Sequence, residues 1–221
     1  MRYEQKLKSH LPIKGNVTAD KIIEAAKQLF RENKYESVTT REIASKADVN
    51  LGLIPYYFTS KENLARIVFK NVKNELYQAA LDQTDISELG SAEVLYVISV
   101  RAWYLLEADP AFRPYIEFYY PFLSSGHGDM EPSGIFTELS WKVIKEYGLE
   151  VTPSENELYL TALTGAEQLM TIKVKKGLLN VTYNKILNLV LSNYFYNLGL
   201  SDQTIANIIM KSNQFLDHYP T

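Results

Sequence analysis

Residues 39–64 read TTREIASKADVNLGLIPYYFTSKENL, and the punctuation of this stretch decides the fold. Thr39 followed three positions later by Glu42 is a capping box, in which each side chain satisfies the other's backbone N–H. A short helix from Thr40 to Ala47 is therefore expected, with Ile43, Ala44 and Ala47 on its buried face. At Ala47-Asp48-Val49 the chain must turn sharply, and Asp48 is among the few non-glycine residues that tolerate a left-handed backbone. Asn50 then caps a second short helix, Leu51 to Tyr57. Thr59 with Glu62 forms another capping box and opens a long helix from about Lys61 to Asp82, which no Gly or Pro interrupts.

Upstream, Ile22, Ala26, Leu29 and Phe30 recur at helical intervals behind Thr18, a plausible N-cap, and this helix should end near Asn33. Two short helices joined by a tight turn, with a third to pack on, make a helix-turn-helix, whose second helix enters the DNA major groove. Its outer face would carry Asn50, Leu51, Leu53 and Tyr56, with Tyr57 beside them. Thr39 and Thr40 at one helix start and Lys61 at another are placed to grip phosphates, because helix N-termini attract anions. The plainer reading makes Thr39 and Thr40 caps alone, and it makes Ile43, Ala44, Val49, Ile54 and Phe58 core.

The charge distribution agrees. Residues 1–75 hold 14 Lys or Arg against 9 Asp or Glu, a balance of +5, whereas residues 76–221 hold 9 against 17, a balance of −8. A basic head on an acidic body is expected where only the head approaches a polyanion. A chance imbalance of solvated surface charge would look the same.

Helical spacing continues through the rest of the chain, so the fold class is all-α. Helices are expected at Ser91–Glu107, Pro110–Phe122, Ile135–Tyr147, Ser154–Lys176, Val181–Leu198 and Ser201–His218, with a Gly-containing loop over Ser124–Pro132. Trp103, Tyr104, Tyr115, Phe118, Tyr119, Phe122 and Trp141 crowd into about forty residues. Such rings line pockets, and equally they fill ordinary helical cores. Glu107 and Gln168 lie beside this apolar material and are candidates to orient a ligand.

Other functions find little footing. The sequence has no cysteine, which removes thiolate metal sites and cysteine nucleophiles. It has no G-x-S-x-G, H-E-x-x-H, P-loop or G-x-G-x-x-G motif, and His10, His127 and His218 lie too far apart to suggest a metal site by spacing. No catalytic residue, cofactor or metal is expected. No apolar run is long enough for a signal-peptide core or a membrane span, which leads to the expectation of a cytoplasmic protein without membrane contact.

The stretch resembles the DNA-binding domain of the tetracycline-repressor-like (TetR) family. The pattern appears as Thr18, Ile22, Ala25-Ala26, Leu29-Phe30, Tyr35, Thr39-Thr40, Ile43-Ala44, Ala47, Val49-Asn50, Gly52, Ile54, Tyr57-Phe58, Ser60-Lys61-Glu62 and Leu64. Two positions depart from it. Asp48 stands where the family commonly has Gly, and Pro55 stands where it often has the Tyr that reaches the backbone phosphate, leaving Tyr56 or Tyr57 to substitute. A proline there also removes a helical hydrogen bond and presses on the Leu51 carbonyl, which a 3₁₀-like turn would absorb.

The resemblance implies an all-helical homodimer, with an arm over residues 1–17, a helix-turn-helix domain over 18–64, and a ligand-binding and dimerisation domain over 65–221. It implies a repressor that binds palindromic operator DNA and is released by a small hydrophobic or aromatic effector. It also implies a four-helix dimer interface from the Ser154 and Val181 helices, here through Leu160, Leu163, Thr164, Glu167, Ile186, Leu189, Val190 and Tyr194. The rival expectation is a DNA-binding protein of the same fold with an architectural role or a protein partner in place of the effector.

Overall fold

A computed structural model describes residues 16–110, 112, 115 and 134–218. The expected Pro110–Phe122 helix and Ser124–Pro132 loop lie almost wholly outside the described residues. Those described form nine α-helices and no strand: α1 Val17–Glu32, α2 Thr40–Lys46, α3 Leu53–Phe58, α4 Lys61–Asp82, α5 Ser91–Ala108, α6 Gly134–Glu146, α7 Pro153–Lys175, α8 Tyr183–Leu198 and α9 Asp202–His218. They divide into two compact units, one holding residues 16–72 and 115, the other 73–110, 112 and 134–218. The division falls inside α4, past the expected boundary at residue 64. Leu64, Ala65, Val68, Phe69 and Val72 are all buried there, and the first unit keeps this stripe.

In the first unit, α1 buries Ala19, Ile22, Ile23, Ala25, Ala26 and Phe30 along one face. Its cap is Asn16, not Thr18: the Asn16 Oδ1 accepts from the backbone N–H of Thr18 at 3.0 Å and of Ala19 at 3.3 Å. α2 opens with the capping box, the Thr39 N–H donating to Glu42 at 2.7 Å and the Glu42 N–H to Thr39 Oγ1 at 3.2 Å. The Thr39 N–H, and then the Thr39 hydroxyl that donates to the same carboxylate oxygen at 2.8 Å, hold the Glu42 carboxyl below its usual pKa. Asp48 adopts the left-handed backbone that its side chain tolerates, φ 53°.

The second unit is centred on α5, where Ala92 through Val100 are buried without a break. A polar cluster inside it joins three helices: the Tyr194 hydroxyl of α8 lies 2.9 Å from Ser140 Oγ of α6 and 3.0 Å from Asn156 Oδ1 of α7. α8 stops at Gly199, whose φ of 100° suits glycine alone without strain. The final helix packs on α5, and Tyr96 secures it there: its hydroxyl lies 2.7 Å from Asn188 Oδ1 and 3.2 Å from Asn213 Oδ1. Among the described residues no helix is long and apolar enough to cross a membrane.

Candidate nucleic-acid interface

The recognition element begins two residues later than the Leu51 start that the spacing suggests. Asn50 still caps, but it caps a turn: its Oδ1 accepts from the Gly52 N–H at 2.9 Å, and the helical residues run from Leu53 to Phe58. Pro55 explains the delay. It has no N–H to give to the Leu51 carbonyl, so Ile54 takes that carbonyl instead at 3.2 Å, a tighter 3₁₀-type bond. Ile54 and Phe58 turn inward and are buried. Leu51, Gly52, Pro55 and Tyr56 are exposed, and Leu53 and Tyr57 are half-buried.

Tyr57 is held from two sides. Its hydroxyl accepts from Asn16 Nδ2 at 3.2 Å, which ties the cap of α1 to the recognition helix, and the Tyr56 ring meets it edge-on with centroids 4.9 Å apart. Tyr56, 75% exposed, is the side chain that reaches furthest into solvent here. On α2, Thr39 is exposed and engaged in its capping box, and Thr40 is half-buried at the first helical position.

The start of α4 differs from the expectation in two ways. Ser60, not Thr59, is its cap, accepting from the Asn63 N–H at 3.2 Å. Thr59 occupies a positive-φ turn at φ 67°, a backbone that β-branched residues rarely adopt. Lys61 points back into the domain: its ammonium donates to the carbonyls of Tyr35 and Val38, both at 2.9 Å, and lies 4.1 Å from the centre of the Tyr35 ring. Burial lowers its pKa, an effect that Glu62 and Glu36 oppose. Tyr35 also donates to Glu62 Oε1 at 3.3 Å. The Lys61 side chain therefore pins the loop between α1 and α2, and a phosphate at this helix start would meet backbone N–H groups before it met the ammonium.

In the second unit, the candidate ligand residues scatter. Trp103 stacks on Tyr183 with ring centroids 3.9 Å apart and has the Lys175 ammonium 5.5 Å from its own centre. Glu107 pairs with Lys175. Tyr104 and Trp141 are partly exposed, at 39% and 37%. Tyr115 is buried and belongs to the first unit. Phe118, Tyr119 and Phe122 lie outside the described residues. Gln168 is buried, and neither its amide nitrogen nor its amide oxygen has a hydrogen-bond partner. A surface groove of about 360 Å³, lined by Asp85, Ser87, Glu88, Gln214, Phe215 and His218, contains none of these candidates.

Next to Gln168 in sequence, Glu167 accepts a 2.6 Å hydrogen bond from the Tyr183 hydroxyl. Burial raises its pKa, against the opposing pull of that bond and of Lys73. Burial, then the Glu167 charge, push the Tyr77 hydroxyl above its ordinary range as well, while its bond to Ser99 acts the other way. Tyr77 meets Phe136 edge-on at 5.8 Å. Glu167, Tyr77 and Tyr183 thus form a semi-polar cluster that no motif marks, since its members come from three helices far apart in sequence.

Most of the residues expected at a dimer interface lie inside the single chain. Leu160, Leu163, Thr164, Ile186, Val190 and Tyr194 are buried within the single chain, where α7 and α8 pack on each other and on their neighbours. Glu167 is turned toward Tyr183. Of the eight, only Leu189 is exposed, at 49%, and the other large exposed apolar side chains on these two helices are Leu158, Leu169 and Tyr196.

Three helices, a left-handed turn and a surface-facing short second helix define the helix-turn-helix class. Residues 22–67 match the model of the family described as bacterial regulatory proteins, tetR family. The matched residues lie wholly within the first unit. It is 41% identical over 61 residues to the probable HTH-type transcriptional regulator YttP of Bacillus subtilis, covering 28% of each chain. It is 30% identical over 100 residues to the HTH-type transcriptional regulator QacR of Staphylococcus aureus, covering 45% of this chain and 53% of that one. The matches thus span about a quarter and about half the length of these curated relatives.

Two solved structures share the fold. RolR in complex with resorcinol is 17% identical with a TM-score of 0.54, over 87% of this chain and 92% of that one. A TetR transcriptional regulator from Rhodococcus sp. RHA1 is 18% identical with a TM-score of 0.52, over 84% and 97%.

Proposed function

We propose that this protein is a transcription regulator that binds palindromic operator DNA as a homodimer, represses from that site, and is released by a small effector. The observation that carries the reading is the α2–α3 motif, capped at Thr39, turned at Asp48, and presenting Leu51, Leu53, Pro55 and Tyr56 outward. Phosphates would be held by backbone N–H groups at the helix starts and by Thr39, Thr40, Asn50, Tyr56 and Tyr57. The basic balance of residues 1–75 supports an anionic partner for this part of the chain.

Dimerisation is supported by the apolar side chains left outside on α7 and α8: Leu158, Leu169, Leu189 and Tyr196 are all at least 49% exposed. Two such helices from each copy would bury them in a four-helix contact. The effector reading is supported by Gln168, because a buried amide with both atoms unmatched is costly unless a ligand completes it. An effector that binds better to a dimer whose recognition helices are wrongly spaced would shift the population off DNA. Repression follows from a dimer seated on a promoter.

The test is a titration of the full chain against labelled duplex DNA at several salt concentrations. Affinity should fall steeply with salt, by roughly 10³-fold or more between 50 and 200 mM for six or more phosphate contacts. Salt-independent binding, or none, overturns the reading.

A further inference from the structure

Between Asn50 and Phe58 the recognition element carries no Lys, Arg, Gln, Ser or Thr. That composition matters because the major groove is a chemical code. Guanine offers two acceptors that Arg or Lys reads, adenine an acceptor and a donor that an Asn or Gln amide reads with both its atoms, and thymine a methyl group that apolar side chains read. Asn50 already holds its Oδ1 on the Gly52 N–H at 2.9 Å, so a two-point adenine contact would have to share that oxygen. Tyr57 is half-buried with its hydroxyl on Asn16. What remains outward is apolar apart from the Tyr56 hydroxyl: Leu51 at 41% exposure, half-buried Leu53, Pro55, whose ring has no N–H to offer, and the ring of Tyr56. Arg41 and Lys46 are exposed on α2, but the first helix of this motif crosses the phosphate backbone and does not enter the groove.

We infer that α3 and the turn before it read thymine methyl groups through Leu51, Leu53 and Pro55, so that the bases this element specifies in each half-site are A·T pairs, without guanine readout. The inference rests on the DNA-binding reading above and adds to it the class of sequence recognised. The occupant is DNA and not an apolar protein surface because the patch sits between two helix starts on the basic part of the chain. Leu51, Leu53 and Pro55 are then specificity-determining residues, and Tyr56, further along, contributes its ring and hydroxyl at the groove edge.

The experiment has two stages with the full chain. Duplexes are first selected from a random pool; each thymine of the selected half-site is then replaced by uracil, which deletes only the methyl, and each guanine by 7-deazaguanine, which deletes N7. Thymine-to-uracil replacement at one or more positions should weaken binding about fourfold each, the equivalent of one buried methyl at about 0.8 kcal/mol. Leu51→Ala or Leu53→Ala should abolish that sensitivity, and because Leu51 is exposed its variant folds normally. Specific binding that is indifferent to uracil and lost with 7-deazaguanine in the bases facing α3 overturns the inference while leaving the DNA-binding reading intact. Failure to select any sequence above competitor DNA overturns both.

Discussion

Replacing Lys61 with Met separates the two roles open to this residue. Met keeps the length and apolar bulk of the stem and removes only the ammonium. The structure assigns that ammonium two hydrogen bonds of 2.9 Å to the Tyr35 and Val38 carbonyls and a position 4.1 Å from the Tyr35 ring centre. Bonds from a charged donor contribute about 1.5–3 kcal/mol each in favourable settings, and a cation over a ring at a part-exposed site about 0.5–1 kcal/mol. Against this stands the cost of half-burying the charge, which its lowered pKa records. Both carbonyls also regain some water in the variant. The balance is a destabilisation of about 2 kcal/mol, which shifts a urea midpoint by roughly 1 M at an ordinary slope. DNA affinity measured on the folded variant should keep its salt dependence. Were Lys61 instead neutralising a phosphate, its removal would lower the slope of log affinity against log salt by about 0.9. Unchanged stability together with a shallower slope would refute the reasoning.

Gln168→Met should stabilise the second unit by about 1 kcal/mol or more, because it removes two buried polar atoms that have no partners, and chemical denaturation reads this directly. Glu167→Gln should flatten the pH dependence of stability. Burial raises the Glu167 pKa in the folded state, so the folded protein holds its proton more tightly; the resulting stability is full below the ordinary carboxyl pKa of 4.5 and is lost as pH rises through the raised value. Unfolding curves at pH 4.5 and pH 8 should therefore differ less in the variant. Leu169→Glu combined with Leu189→Lys places charge on side chains 56% and 49% exposed in the single chain, so the fold should survive while sedimentation reports a monomer.

Much of the first unit could be read from residues alone because its signals are local. A capping box needs only Thr39 and Glu42, a left-handed turn needs only Asp48, and a proline's missing N–H is a property of Pro55 itself. Local signals blur where two competent residues sit close together. Asn16 and Thr18 are both good caps two positions apart, and so are Thr59 and Ser60 side by side, and the buried face of the following helix chooses between them. The direction of Lys61 could not be read this way, since its acceptors lie 23 and 26 residues earlier.

The second unit was legible as helices but not as a site. A stripe such as Leu160, Leu163 and Thr164 has the same spacing whether it faces another helix of its own chain or one from a second copy. Only packing distinguishes the cases, and it puts those three inside while leaving Leu158 and Leu169 out. Similarly, the Trp103–Tyr183 stack and the Glu167–Tyr183 bond join residues from different helices, which helical periodicity cannot pair.

The central claim, a dimer reading DNA through α3, is tested most directly by a hydroxyl-radical footprint of the full chain on its selected duplex. Two protected segments related by a dyad are predicted, centred on major grooves about 34–36 Å apart on one side of the helix. A single protected segment, or uniform protection without groove periodicity, would contradict it.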